Sequence, residues 1–239
     1  MFRKLKARIQ RKRILSGIPS YQQTVSYNEM FLCANLFETK FRRPIKSFLE
    51  VGANFFQDAF VVQQLNGIED ESIVVIEPNL EIFNIAKRWR PNYQAFNVGA
   101  SNVETQLEMQ VAGTKSRNSG VSSLFTRNLD EDWITGTQTV TVLPVKKILD
   151  DLDRDVTDFA KIDVEGHTFE VLQGFGDWLP KFWMIQAESE LSHKYWQEQR
   201  YFFSDIHELM TDMGFDLFHH HVNRDCIQCD TIWVNRQFA

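Results

Sequence analysis

No stretch of the 239-residue chain supplies the ~18 consecutive apolar residues that cross a bilayer. The charged first residues have no apolar segment behind them, so no secretory signal is expected. Cysteine is scarce. Cys33, Cys226 and Cys229 are an odd, low count that argues against a disulfide framework and for a reducing, cytoplasmic setting. Positive charge is scarce too, outside one place. Residues 1–13, "MFRKLKARIQRKR", hold seven Lys/Arg, leaving 19 basic residues against 32 acidic ones, a balance of −13. An acidic body argues against nucleic acid as a partner. The basic arm, residues 1–20, suits weak contact with an anionic membrane surface or a solvated terminus. Internal repeats, low-complexity tracts and a second domain are absent from the sequence pattern.

What is present reads as one α/β domain over 21–239, with 43% hydrophobic content to fill a sizeable core. "YNEMFLCANLFETKF" places Met30, Leu32, Leu36 and Phe37 at helical spacing. Strands and helices then alternate. "KSFLEVG", "SIVVIEP", "YQAFNVGAS", "FAKIDV" and "FWMIQAES" read as five strands. Helices are expected over 56–66, 79–90 and 202–213, with Ile82, Ile85 and Ala86 on one face of the second. A further helix over 167–173 ends at Gly174. The segment 103–145 interrupts this rhythm with inserted strands around a Gly/Ser/Asn-rich loop at 113–123. "FDLFHHH" and "TIWVNR" close the sheet as an antiparallel pair. The expectation is a mostly parallel twisted sheet of about seven strands, with helices on both faces.

In such a sheet, ligands bind beyond the carboxyl ends of the strands. All five ends carry polar or acidic groups: Glu50-Val51-Gly52-Ala53-Asn54, Glu77-Pro78-Asn79, Asn97 to Ser101, Asp163 to His167, and Glu188-Ser189-Glu190. Gly52 allows a ligand close to the backbone, and Glu77 suits a pair of ribose hydroxyls. A dinucleotide site wants G-x-G-x-x-G to receive pyrophosphate. Here "GANFFQ" has Asn54 and Gln57 in place of the later glycines. Glu50 repels phosphate and attracts an ammonium, so the charges favour S-adenosylmethionine over a nicotinamide dinucleotide. Two rival readings are a nicotinamide-dependent dehydrogenase and a non-catalytic Rossmann-like module for a nucleoside or a partner.

"FLEVGANFFQDAF", "IVVIEPN", "NVGASN" and, most distinctively, "AKIDVEGHTFEVLQGF" together resemble the motif series of FkbM-type methyltransferases, over roughly residues 46–190. Phe56 stands where that family commonly has a small residue, and Thr168 where it often has an acid. The resemblance implies a class I methyltransferase, Rossmann-like fold. It also implies S-adenosylmethionine as donor and a hydroxyl acceptor, often on a sugar or glycosylated product.

On that reading Glu50, Gly52, Asn54, Phe55, Glu77, Asn97, Val98 and Ser101 are candidate cofactor-binding residues, and the segment Asn97 through Ser101 would border the adenine. A sugar hydroxyl is a poor nucleophile and calls for a base. His167 is the first candidate, for its pKa, and Asp163 the second. Asp163 and Glu190 are also candidate ligands for a divalent ion, Mg²⁺. His219–His221 with Cys226 and Cys229 lack the two clean ligand pairs of a structural zinc site and read as a strand and its turn.

Overall fold

The computed structural model describes residues 12, 14, 16, 23–114, 116, 118–128, 133–153 and 155–239. In chain order the strands are β1 (Phe48–Val51), β2 (Ile73–Ile76), β3 (Gln94–Phe96), β4 (Gly99–Ser101), β5 (Thr105–Val111), β6 (Gly136–Pro144), β7 (Phe159–Ile162), β8 (Met184–Glu190), β9 (Phe215–Val222) and β10 (Gln228–Asn235). The helices are α1 (Gln23–Phe41), α2 (Gln57–Asn66), α3 (Leu80–Trp89), α4 (Val145–Asp150), α5 (Thr168–Gly174) and α6 (Phe203–Asp212). Seven strands form one sheet in the order β3-β2-β1-β7-β8-β10-β9. β10 runs against both its neighbours, and the other pairings are parallel.

β1, β2 and β7 are buried at every position, as strands covered on both faces must be. Alternation then sorts their side chains. Leu49, Val51, Ile76, Ile162 and Ile185 face a core shared with Ile148 of α4, Leu172 of α5 and Ile206 of α6. Phe48, Val75, Phe159, Met184 and Ile232 face the other core, with Phe37 of α1, Val62 of α2 and Ala86 of α3. Followed by steps of two toward the carboxyl ends, this second face turns from apolar to charged. Phe48 is succeeded by Glu50, Phe159 by Lys161 and Asp163, and Met184 by Gln186, Glu188 and Glu190. The register sets Asp230 of β10 opposite Glu188. The fold thus gathers charge at one end of one face.

Several expectations need correction. α1 buries Tyr27, Met30, Cys33 and Phe37, while Leu32 is 40% exposed. Residues 93–101 are not one strand. The Asn97 side-chain amide donates to the carbonyls of Glu77 at 2.8 Å and Pro78 at 3.1 Å. The chain breaks there, so β3 stays in the main sheet while β4 joins a separate sheet ordered β4-β6-β5. The inserted segment is therefore a small sheet standing beside the main one. Gly174 closes α5 from within, and a Cβ there would lie 1.9 Å from the Ser101 carbonyl oxygen. The basic arm falls largely outside the described residues. Ile14, within it, is buried against the α1 core.

Candidate active site

Three strand ends, those of β2, β1 and β7, are locked together by the backbone. Gly52 N–H donates to the Ile76 carbonyl at 3.0 Å, and Asp163 N–H to that of Val51 at 2.9 Å. Gly52 has φ +79°, and a Cβ on it would sit 1.8 Å from the Asp163 carbonyl oxygen. Glycine is required there by the neighbouring strand as much as by any ligand. Beyond it, Asn54 and Phe56 also take left-handed conformations, with φ +45° and +60°. Phe56 is fully buried against Phe83 and Tyr93, so the large side chain in the loop serves the core.

Two adjoining clefts open at this edge and share Gly52, Asn54, Gly120 and Asp163. The first, about 50 Å³, is bounded by Glu77, the small residues Gly99 and Ala100, the 119–124 loop and His167. Glu77 is held by backbone donors, Asn54 N–H and Asn79 N–H each at 2.7 Å from its carboxylate. Burial outweighs those two hydrogen bonds and raises its pKa to about 7. The folded chain therefore favours the protonated acid through a window where the unfolded chain has already ionised. This contribution to stability is complete below about pH 4.5 and lost as the pH rises to about 7. Glu77→Gln should flatten that fall, measured by thermal denaturation of the ligand-free protein across the window.

The second cleft, about 240 Å³, is lined by Glu29, Glu50, Asp58, Asp163 and Glu165 around Lys161. Lys161 is 7% exposed and donates to Asp58 at 2.5 Å and to Asp163 at 3.0 Å. Burial acts to lower its pKa, but Asp58, Asp163, Glu29 and Glu50 overcome that and hold it above the usual lysine value. Glu50, 2% exposed, accepts from Ala59 N–H at 3.1 Å. Burial, then Asp58, pushes it well above the carboxylate range. Burial, then Asp163 and Glu190, does the same to Glu165.

Of the expected cofactor residues, Glu50, Gly52, Asn54 and Glu77 are brought to the clefts. Phe55 is buried and lies outside the lining of both. Asn97 is used to turn the chain, and Val98 packs on the core. Ser101 sits behind the cleft, 3.0 Å from His167 Nε2. Within the segment Asn97 through Ser101, it is Gly99 and Ala100 that line the first cleft.

His167 is held differently from the expected base. It is 6% exposed, engaged by Ser101, packed edge-on against Phe125, and pushed down to about 4 by burial. A histidine so held is neutral at physiological pH and a weak proton acceptor. Asp163 has one carboxylate oxygen committed to Lys161. The expected partnership of Asp163 with Glu190 is also revised. Oxygens of Asp163, Glu165 and Glu188 lie within 4.8 Å of one another, the single metal-capable group among the described residues. Glu190, one strand repeat beyond Glu188, accepts instead from Trp196 at 3.0 Å and Gln228 at 2.9 Å. Lys161 and Asp58 went unassigned in the sequence, and Glu165 was placed at its strand end without a role. Alternation along "FAKIDV" was the signal for Lys161, since it shares the face of Asp163.

A family model described as the methyltransferase FkbM domain matches residues 50–217. Magnesium protoporphyrin IX methyltransferase from Synechocystis PCC 6803, crystallised with bound SAM, is similar in fold over 95% of this chain and 90% of that one, at 10% identity and a TM-score of 0.50. Methyltransferase FkbM from Methylobacillus flagellatus KT is similar over 96% of this chain, at 12% identity and a TM-score of 0.49; the chain spans 59% of that protein's length. No curated protein matches the chain in sequence. No helix among the described residues is long and apolar enough to cross a membrane. The strand order, the acid at the end of β2 and a family match over well over half the chain agree, and the chain belongs to the FkbM family of S-adenosylmethionine-dependent methyltransferases.

Proposed function

We propose that the protein methylates a hydroxyl oxygen of a sugar or glycosylated acceptor. The observation that carries this reading is the second cleft. It adjoins the Glu77 cleft directly and is lined by hydrogen-bonding groups, Asn54, Gln57, Asp58, Asp163 and Glu165 among them. Such a lining suits a ligand rich in hydroxyls, and its negative charge disfavours a polyanion such as nucleic acid.

Glu77 would accept from the ribose hydroxyls, Gly99 and Ala100 leave room for the flat adenine, and Glu50 would face the ammonium. Bound S-adenosylmethionine supplies an electrophilic methyl group on a positively charged sulfur. The chain's own contribution is alignment, together with removal of the acceptor's proton. Alignment accounts for about 7–11 kcal/mol of a barrier in favourable cases.

Calorimetry tests the cofactor half. S-adenosylhomocysteine should bind and NAD should not, and Glu77→Ala should weaken the former several-fold or more. Unchanged affinity would remove Glu77 from the site. For the acceptor half, mass spectrometry should show one added methyl group on p-nitrophenyl glucoside, galactoside or mannoside. Binding without transfer to any of them would favour a non-catalytic module.

A further inference from the structure

The second cleft is one end of a longer surface. Alternate residues of a strand share a face, and strand register carries that face across a sheet. On the second face, Glu50, Lys161, Gln186, Ile232 and His219 stand in register across β1, β7, β8, β10 and β9. One pleat further, Asp163 and Glu188 follow Lys161 and Gln186, and Asp230 and His221 continue the row. The second cleft stands on the Glu50, Lys161 and Asp163 end of these rows. A groove of about 550 Å³ stands on the other end, between Gln186, Asp230, His219 and His221 of the sheet and Asn28 and Leu32 of α1. Glu29 lines both and accepts from Gln186, so α1 crosses one continuous surface at that point. From Asp163 to His221 is three strand spacings, roughly 14 Å. That is longer than one sugar ring.

We infer that this groove binds further sugar residues of the acceptor, a neutral oligosaccharide whose methylated ring occupies the second cleft; the inference rests on the carbohydrate reading above and extends it. The lining chemistry favours that occupant. Asn28, His219 and His221 are exposed, and their side chains make no hydrogen bond among the described residues. An amide and an imidazole can each donate and accept, as a hydroxyl does. Leu32, 40% exposed on the α1 wall, offers an apolar surface to the C–H face of a ring. An alkyl chain would bury the polar groups without partners. A phosphate or sulfate group would meet the carboxyl groups of Glu29 and Asp230. A second copy of the chain would extend a regular strand edge, yet β9 is interrupted: Ile232 pairs with His219 and Trp233 with Leu217, leaving Phe218 unpaired. The histidine run of the closing strand thereby gains a use that its own spacing does not show.

The test takes whichever p-nitrophenyl glycoside the wild type methylates and the same glycoside lengthened by one sugar: maltoside and cellobioside for the glucoside, lactoside for the galactoside, mannobioside for the mannoside. The longer acceptor should have a KM ~10-fold lower, about 1.4 kcal/mol, with kcat within a few-fold. Leu32→Gln and His221→Ala, both at exposed positions, should remove that gain and leave the shorter acceptor's kinetics unchanged. A readout without turnover is proton NMR of the histidine rings with S-adenosylhomocysteine bound. The His219 and His221 resonances, assigned from their alanine variants, should shift on adding the disaccharide and stay in place on adding the monosaccharide. A wild type that takes only the disaccharides, with both variants impaired on them, bears the inference out in its strongest form. Transfer to the monosaccharide with no gain from any disaccharide, or a gain that both variants keep, would overturn the inference and leave the carbohydrate reading standing. Octyl glucoside outdoing every disaccharide would make the occupant an apolar aglycone, and a dimer in sedimentation velocity that Leu32→Gln dissociates would make it a second copy; either overturns the inference. Transfer to no mono- or disaccharide overturns the carbohydrate reading, and this inference with it.

Discussion

Lys161→Met is expected to destabilise the protein by about 3–5 kcal/mol, the usual consequence of removing one partner from a buried ion pair. Methionine fills much of the same volume, so the loss is electrostatic rather than a cavity. Asp58 and Asp163 lose their cation, and Glu29 and Glu50 lose its field. For a chain of this size the melting temperature should drop by roughly 6–20 °C. The pH dependence identifies the cause. In the wild type the raised lysine pKa gives stability that is complete below about pH 10.5 and lost only at more alkaline pH. It is therefore constant across neutral pH. In the variant the uncompensated carboxylates take up protons more readily folded than unfolded. Its stability should rise as the pH falls, and the deficit against wild type should be smaller at about pH 5 than at about pH 8. Thermal melts at both values check this. A deficit independent of pH would mean that packing, not charge, was lost.

Gly52→Ala should be nearly as damaging and should also abolish tight cofactor binding. Two costs add. The left-handed φ of +79° disfavours an L-residue by about 1–2 kcal/mol. The new Cβ would also lie 1.8 Å from the Asp163 carbonyl oxygen and 2.8 Å from its carbon. Neither atom is the end of a movable side chain, so β1 and β7 must part at their carboxyl ends. Overpacking of that kind costs about 1–3 kcal/mol. Because Gly52 lines both clefts, S-adenosylhomocysteine affinity should fall at least ~10-fold, about 1.4 kcal/mol. Gly67 is the matched control. Its φ is +70° with nothing within 4 Å of an added Cβ, so Gly67→Ala should carry the conformational cost alone and keep its affinity. If the two variants behaved alike in melts and calorimetry, the close approach of the strands would have no consequence.

The lining of the clefts was legible where a residue's position follows from its place on its own strand. Glu50, Gly52, Asn54 and Glu77 are strand-end residues, and each reaches a cleft. Residues 97–101 were half legible. Their polar, small composition marked a ligand edge, but of the five only Gly99 and Ala100 line the cleft. A side-chain hydrogen bond from Asn97 to a neighbouring turn splits the strand, and no periodicity records such a bond. The surroundings of His167 were out of reach for a related reason. Its ordinary pKa suits a base, yet Ser101 and Phe125, 66 and 42 residues away in the chain, close around it and hold it neutral.

By itself the sequence determined the α/β class, the antiparallel closing pair, the family and the end of the sheet where the polar strand ends line clefts. All four depend on local order: alternation, punctuation by glycine and proline, and motifs read along one segment. Only the tertiary structure decided which acids are engaged and by what. Lys161 meets Asp58 across 103 residues, and Glu165 has its conformation held by Ser123, 42 residues away. The basicity of a carboxylate depends on what surrounds it in space, and in this fold the groups around Glu165 come from separate strands and loops.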